Sequence, residues 1–268
     1  MPKQPSPSPI RTYGWLRVLI FLALYLLMMA GISRLSLEIY TKFTFLLMSG
    51  AALVWLFRKF VDGSDFLSLG LSWKGSRGYA LTGFLAAVAL LGTGTCILAA
   101  AGVLEWINYQ FDANAFFMSL VLMLMVAFTE ELVFRGYVMN NLLQNMKPHI
   151  ALLVSAALFA IFHGANPGTS WLALINIFIA GILLGINYVF TGNLWFGIAL
   201  HFAWNFFQGP VLGFAVSGLK LPSVLIQNIS GNTMVTGGEF GFEGSLIYSI
   251  LAVILIVVFY FRYKVARN

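Results

Sequence analysis

Residues 115–146 read AFFMSLVLMLMVAFTEELVFRGYVMNNLLQNM, an apolar run broken by the pair Glu130-Glu131 and, four residues after Glu131, by Arg135. A helix needs roughly 20 mostly apolar residues to cross a hydrocarbon core, and this stretch is long enough. Working outward, further runs of the same kind fall at about 13–33, 40–61, 79–102, 149–163, 171–190, 193–209 and 243–262. Trp15, Tyr40, Trp106, Trp171, Trp195 and Tyr260 punctuate their ends, as an interfacial aromatic belt would. The expected fold class is all-α: a polytopic membrane protein of about eight transmembrane helices.

Composition agrees. The 268 residues are 60% hydrophobic and 9% charged, with mean hydropathy +0.90, whereas soluble domains run at about 45–50% apolar and about 25% charged. Soluble-enzyme and disordered-protein readings are excluded as the main account. So is nucleic-acid binding, because fifteen Lys and Arg scattered among 25 Phe, 7 Trp and 10 Met leave no continuous basic face for phosphates. The net charge of +6 has a topological explanation, since Lys and Arg collect in cytoplasmic loops. With the N-terminus in the cytoplasm, Lys3, Arg11, Arg17, Arg58, Lys59, Lys74, Arg77, Arg135, Lys147, Arg262, Lys264 and Arg267 lie inside, and only Arg34, Lys42 and Lys220 lie outside. Both termini are then cytoplasmic, in a bacterial or archaeal cell membrane.

The organisation expected is a Pro/Ser-rich disordered tail at 1–12, a three-span scaffold at 13–114, a four-span core at 115–210, an external loop at 211–242, and a last span with a basic tail at 243–268. The first apolar run is too long for a signal-peptide core and lacks a cleavage site, so it is expected to stay on the protein. Cys96, the one cysteine, sits in the apolar stretch Leu90 to Ala101 and reads as a small packing residue.

An ionisable group at mid-bilayer costs about 2.5–3.5 kcal/mol even on the mildest scale, which makes it a functional candidate by default. Most acidic residues here, Asp62 and Glu243 among them, fall in expected loops or at span ends; Glu130 and Glu131 alone interrupt an apolar run. If that run is helical, Glu131 and Arg135 pair at i, i+4, acid first, and Glu130 is left without a cation. A carboxylate so placed in a low-dielectric cavity suits general acid/base work. His149 falls in the turn at Met146-Lys147-Pro148, but His163 ends one apolar span, in Phe159-Ala160-Ile161-Phe162-His163, and His201 lies inside another, in His201-Phe202-Ala203-Trp204-Asn205. The i, i+4 spacing of His201 and Asn205 aims two hydrogen-bonding side chains at one point, which fits an oxyanion site and equally a polar clasp between helices. The Lys147-Pro148 turn lies 17 residues after Glu130 and 15 before His163, so an antiparallel hairpin brings those two to nearly one height.

EExxxR, FxxxH and HxxxN, in that order on consecutive spans from about 115 to 210, resemble the CPBP family of intramembrane proteases, which includes the CAAX prenyl endopeptidase Rce1 and the Abi proteins. The resemblance implies that Glu130 and His163 activate a water for attack on a peptide carbonyl, that His201 and Asn205 stabilise the oxyanion, and that Glu131 and Arg135 order the site. It implies a membrane-associated substrate, either a lipidated CAAX-type protein or a small secreted peptide. Glu130, His163 and His201 would also supply a His/His/carboxylate set for zinc with an open fourth position. The resemblance equally permits a metal-free glutamate mechanism, and no HExxH helix is present. No GxSxG elbow is present either, which leaves serine-protease chemistry without a nucleophile. Two competing classes are a non-catalytic immunity or scaffold protein of the same fold and a proton-coupled transporter, the second disfavoured by the lack of repeat symmetry. Periodicity specifies no oligomeric state.

Overall fold

The computed structural model describes residues 9–267. The disordered tail expected at 1–12 lies outside the described residues except at its end, where Pro9–Thr12 forms a turn of helix. Among the described residues eight helices have twelve residues or more: α1 Gly14–Ser33, α2 Ile39–Leu56, α3 Arg77–Ala100, α4 Ala113–Glu131, α5 Pro148–Phe162, α6 Trp171–Thr191, α7 Trp195–Phe206 and α8 Leu246–Arg267. Three of them run on as wider π-helical turns, α2 to Val61, α4 through Leu132–Met139 and α7 to Val211. Six stretches are long and apolar enough to cross a membrane: Gly14–Ser33, Ile39–Val61, Arg77–Ala100, Ala113–Leu142, Trp171–Thr191 and Leu246–Val265. The other two of the eight, α5 and α7, are shorter, at 15 and 12 residues. The protein is an integral membrane protein.

Local chemistry sets the boundaries. Asp112 caps α4, accepting from the Ala115 amide at 3.0 Å, and Ser170 does the same for α6 through Ala173 at 3.1 Å. Pro148 opens α5, where its missing N–H costs nothing. Packing then centres on α7, most of which is buried. Helix α3 packs against it most extensively, with α4 and α6 beside it; α5 lies against α6, and α6 against α8. The outward faces are apolar, with Leu27, Met48, Phe60 and Ile161 each more than 60% exposed, an arrangement that suits lipid and not water.

Three features depart from the sequence reading. The segment 211–242, expected to be a loop, contains half of a two-stranded antiparallel sheet, β1 Leu104–Tyr109 with β2 Leu225–Ile229, pairing Leu104 with Ile229 and Tyr109 with Leu225. Asp62, read as a loop residue, is buried between Arg58 at 2.9 Å and Arg17 at 3.4 Å, tying α1 to the end of α2. Cys96 is exposed on α3 and does not pack in the interior.

Candidate active site

A π-helical widening begins directly after Glu131, and Glu130 and Glu131, successive residues on α4, face different surroundings. Glu131 is fully buried; Glu130 keeps 23% of its side chain accessible. Arg135 Nη1 donates to Glu131 Oε1 at 2.9 Å, the i, i+4 pair expected, and Arg135 Nη2 donates to the Gly181 carbonyl of α6 at 3.1 Å. Glu131 Oε1 also accepts from His201 Nδ1 on α7 at 3.1 Å, a contact the sequence did not reveal. Gly197 permits this approach: a Cβ there would stand 2.7 Å from Glu131 Oε2.

Glu130 Oε2 lies 3.6 Å from His163 Nε2 and 3.9 Å from His201 Nε2, so residues 33 and 71 positions apart in the chain meet at one atom. His163 Nδ1 sits 2.8 Å from the Phe159 carbonyl. A carbonyl can only accept, so Nδ1 carries a proton and Nε2 is the ring nitrogen that faces Glu130. The Phe159 ring fills the space between the charges, 4.3 Å beneath the Arg135 guanidinium and 4.5 Å from the His163 ring. That ring is the physical content of the FxxxH spacing: one residue holds the imidazole through its carbonyl and seals the ion pair with its ring.

These groups open on a cavity of about 350 Å³. Its polar end is formed by Glu130, His163, Asn166, His201, Asn205 and Ser217, and its apolar wall by Tyr25, Met29, Phe43, Leu46 and Met123 of α1, α2 and α4. Glu130, His163, His201 and Asn205 therefore share one cavity, while Glu131 and Arg135 lie behind it. A second, smaller cavity of about 40 Å³ is also lined by His163, His201, Asn205 and Ser217, together with Glu243.

The zinc set expected from the sequence converges in space, but its atoms stand wider than the about 3.3–3.4 Å separating ligands around a tetrahedral zinc with bonds near 2.0–2.1 Å. Among the described residues no group of three His, Cys, Asp or Glu side chains is arranged to hold a metal ion.

Ser217 and Glu243 are the residues that sequence reasoning passed over. Ser217 reaches the site from the external segment and Glu243 from the turn before α8. The one available signal was the dipeptide Ser217-Gly218 between apolar residues, a tight-turn signature.

Residues 112–207 match the model of the family described as type II CAAX prenyl endopeptidase Rce1-like. Over this stretch the chain is similar to the Rce1-like family. The matched stretch holds α4 to α7, and with them Glu130, Glu131, Arg135, His163, His201 and Asn205, while α1 to α3, Ser217, Glu243 and α8 lie outside it. The family is one of proteases. The chain is also 35% identical over 81 residues to the uncharacterized protein YpbD of Bacillus subtilis (strain 168), a match covering 30% of this chain and 38% of YpbD. The chain thus spans well under two thirds of the length of that curated relative.

Proposed function

We propose that the protein is an intramembrane endopeptidase that hydrolyses a peptide bond in a membrane-associated substrate, with Glu130, His163, His201 and Asn205 as its catalytic residues. The observation carrying this reading is the convergence of Glu130 Oε2 with two imidazole Nε2 atoms at 3.6 and 3.9 Å, in a cavity that Asn205 also lines. Separations of that size are bridged by one water rather than closed by direct hydrogen bonds.

The water gives one proton to the Glu130 carboxylate and hydrogen-bonds His163 Nε2 with the other, which aims its lone pair at the substrate carbonyl carbon. As the C–O bond forms, the carbonyl oxygen becomes an oxyanion and accepts from His201 and Asn205. His201 Nδ1–H is already engaged by Glu131, so its donation through Nε2 requires the imidazolium form, which Glu131 stabilises from behind. The proton held by Glu130 then passes to the amide nitrogen, the C–N bond breaks, and the new carboxyl group gives its remaining proton to the freed amine, so that a carboxylate and an ammonium group leave. No step uses a metal.

The apolar wall at Met29, Phe43 and Leu46 suits a substrate that carries an apolar group beside its peptide, either a lipidated CAAX-type protein or a small hydrophobic peptide. Both chain ends belong in the cytoplasm of a bacterial or archaeal cell on the charge distribution of the loops. The test is cleavage of prenylated and unmodified labelled peptides by the purified protein and by Glu130→Ala, His163→Ala and His201→Ala, each with and without a chelator. Loss of cleavage in all three variants, unaffected by the chelator, is expected. Cleavage that survives all three substitutions refutes the assignment, and chelator-sensitive cleavage refutes the metal-free mechanism.

A further inference from the structure

Behind the catalytic helix lies a buried carboxylate that none of the steps above uses. Glu243 is 5% exposed and takes part in no ion pair among the described residues. Three neutral donors surround it instead. Trp204 Nε1 donates to Oε2 at 3.0 Å, while Ser217 Oγ, at 2.6 Å, and the Ser217 amide both donate to Oε1. Trp204 lies on α7 between His201 and Asn205, so Glu243 reaches the same helix that carries both oxyanion donors.

Its other partner belongs to a tight turn, Val216 to Leu219, closed by Val216 N–H to Leu219 O at 2.9 Å and Leu219 N–H to Val216 O at 2.8 Å. All four of its residues line the larger cavity opposite Glu130. Ser217, at φ 46°, is the one non-glycine residue in the left-handed region among the described residues, a conformation that persists where surrounding contacts over-determine it. Gly218 follows at φ 84°, its α-carbon so close to the Pro167 carbonyl that no side chain fits, and its amide donates to Phe240 O at 3.0 Å. The turn is thereby pressed against the Asn166-Pro167 bend that follows His163.

We propose that Glu243 is a positioning residue that locks the cavity rim at Val216–Leu219 to the helix bearing His201 and Asn205, so that the wall contacting the substrate and the oxyanion donors move as one unit. The role in turnover rests on the catalytic reading above; the lock itself does not. Its chemistry makes a specific demand. Because all the partners donate, both carboxylate oxygens must accept, and an amide cannot satisfy Trp204 and Ser217 together. Glu243→Gln sets its NH2 group against one of those donors, and Trp204→Phe, by removing the indole N–H, relieves that conflict.

The test uses the full chain in lipid vesicles, with Cys96→Ala as background and Leu219→Cys as a reporter of rim opening, read by the rate of maleimide labelling. Glu243→Gln is expected to raise the labelling rate at least about fivefold and to lower kcat/KM about tenfold, the equivalent of one lost hydrogen bond to a charged group. Adding Trp204→Phe should restore at least half of both effects, which general destabilisation would not do. Ser217→Ala, which keeps the amide bond to Glu243, should change both readouts by no more than about threefold on the same scale. Labelling at the background rate in Glu243→Gln overturns the lock whether or not any peptide is cleaved. Should Glu243→Gln fail to fold, Ser217→Ala decides, because complete loss of cleavage with unchanged labelling would make Ser217 a chemical participant and overturn the positioning role. Wild-type protein that cleaves nothing while Glu243→Gln still labels faster defeats the protease reading and leaves the lock standing.

Discussion

Adjacent glutamates sit in opposite surroundings in this site, and on the proposed mechanism that gives them different duties. Glu130 faces the cavity with no bond to a cation, whereas Glu131 is sealed against Arg135 and His201. Replacing Glu130 with Gln keeps the shape and removes the base: cleavage is expected to fall by about 10²–10⁴-fold, while the thermal unfolding midpoint in detergent stays near that of the wild type. Glu131→Ala strands a fully buried guanidinium and is expected to cost about 3–5 kcal/mol of stability, read as a large drop in the same midpoint. Equal destabilisation by the two substitutions would show that the division of labour is wrong. The EExxxR, FxxxH and HxxxN residues were legible one by one because each is polar within an apolar run. Glu243 and Asp62 were not, since a carboxylate next to a turn looks solvated until its partners are known, and Trp204 and Ser217 lie 39 and 26 residues from Glu243.

Helices in this chain announce themselves through long apolar runs, and the observed α1 to α8 begin and end within a few residues of those runs, apart from α4, which gives way to π-helical turns at Leu132 well before its run ends at 146, and the C-terminal extension of α8. The closeness of their packing is less visible. α7 comes near enough to Glu131 that Gly197 is the residue at the contact, and Gly197→Ala would set a methyl 2.7 Å from Glu131 Oε2 and 3.1 Å from the Leu184 carbonyl. Overpacking of this kind costs about 1–3 kcal/mol. Because the displaced group backs His201, Gly197→Ala is expected to lower kcat with little change in KM, and steady-state kinetics on one peptide decides it. The pairing of β1 with β2 was hidden for a related reason: the alternation of Leu104-Glu105-Trp106-Ile107-Asn108-Tyr109 is broken at Trp106-Ile107, where the ladder shifts register, and the strand's partner lies more than a hundred residues away, so only the folded helices bring the two together.

At the scale of the molecule, an even number of crossings returns the chain to the side on which it began. Tags on the two termini are expected to be reached by protease from the same face of oriented membranes, and a tag inserted between β2 and α8 from the opposite face; exposure of the termini on different faces would remove one crossing from the fold. The shortness of α5 has a further consequence. Its 15 residues span about 22 Å, against a hydrocarbon core of about 30 Å, and it turns Ile150, Leu153 and Ile161 outward. If α5 crosses the bilayer, the lipids beside it shorten or tilt to cover that face, which predicts a locally thinned bilayer next to the helix that ends at His163. Hydrophobic mismatch thus does part of the work of access. On the proposed function, a substrate lying at the membrane surface would descend less far to meet Glu130 through such a thinned face, and the rate of cleavage is expected to fall as the acyl chains of the host vesicle lengthen.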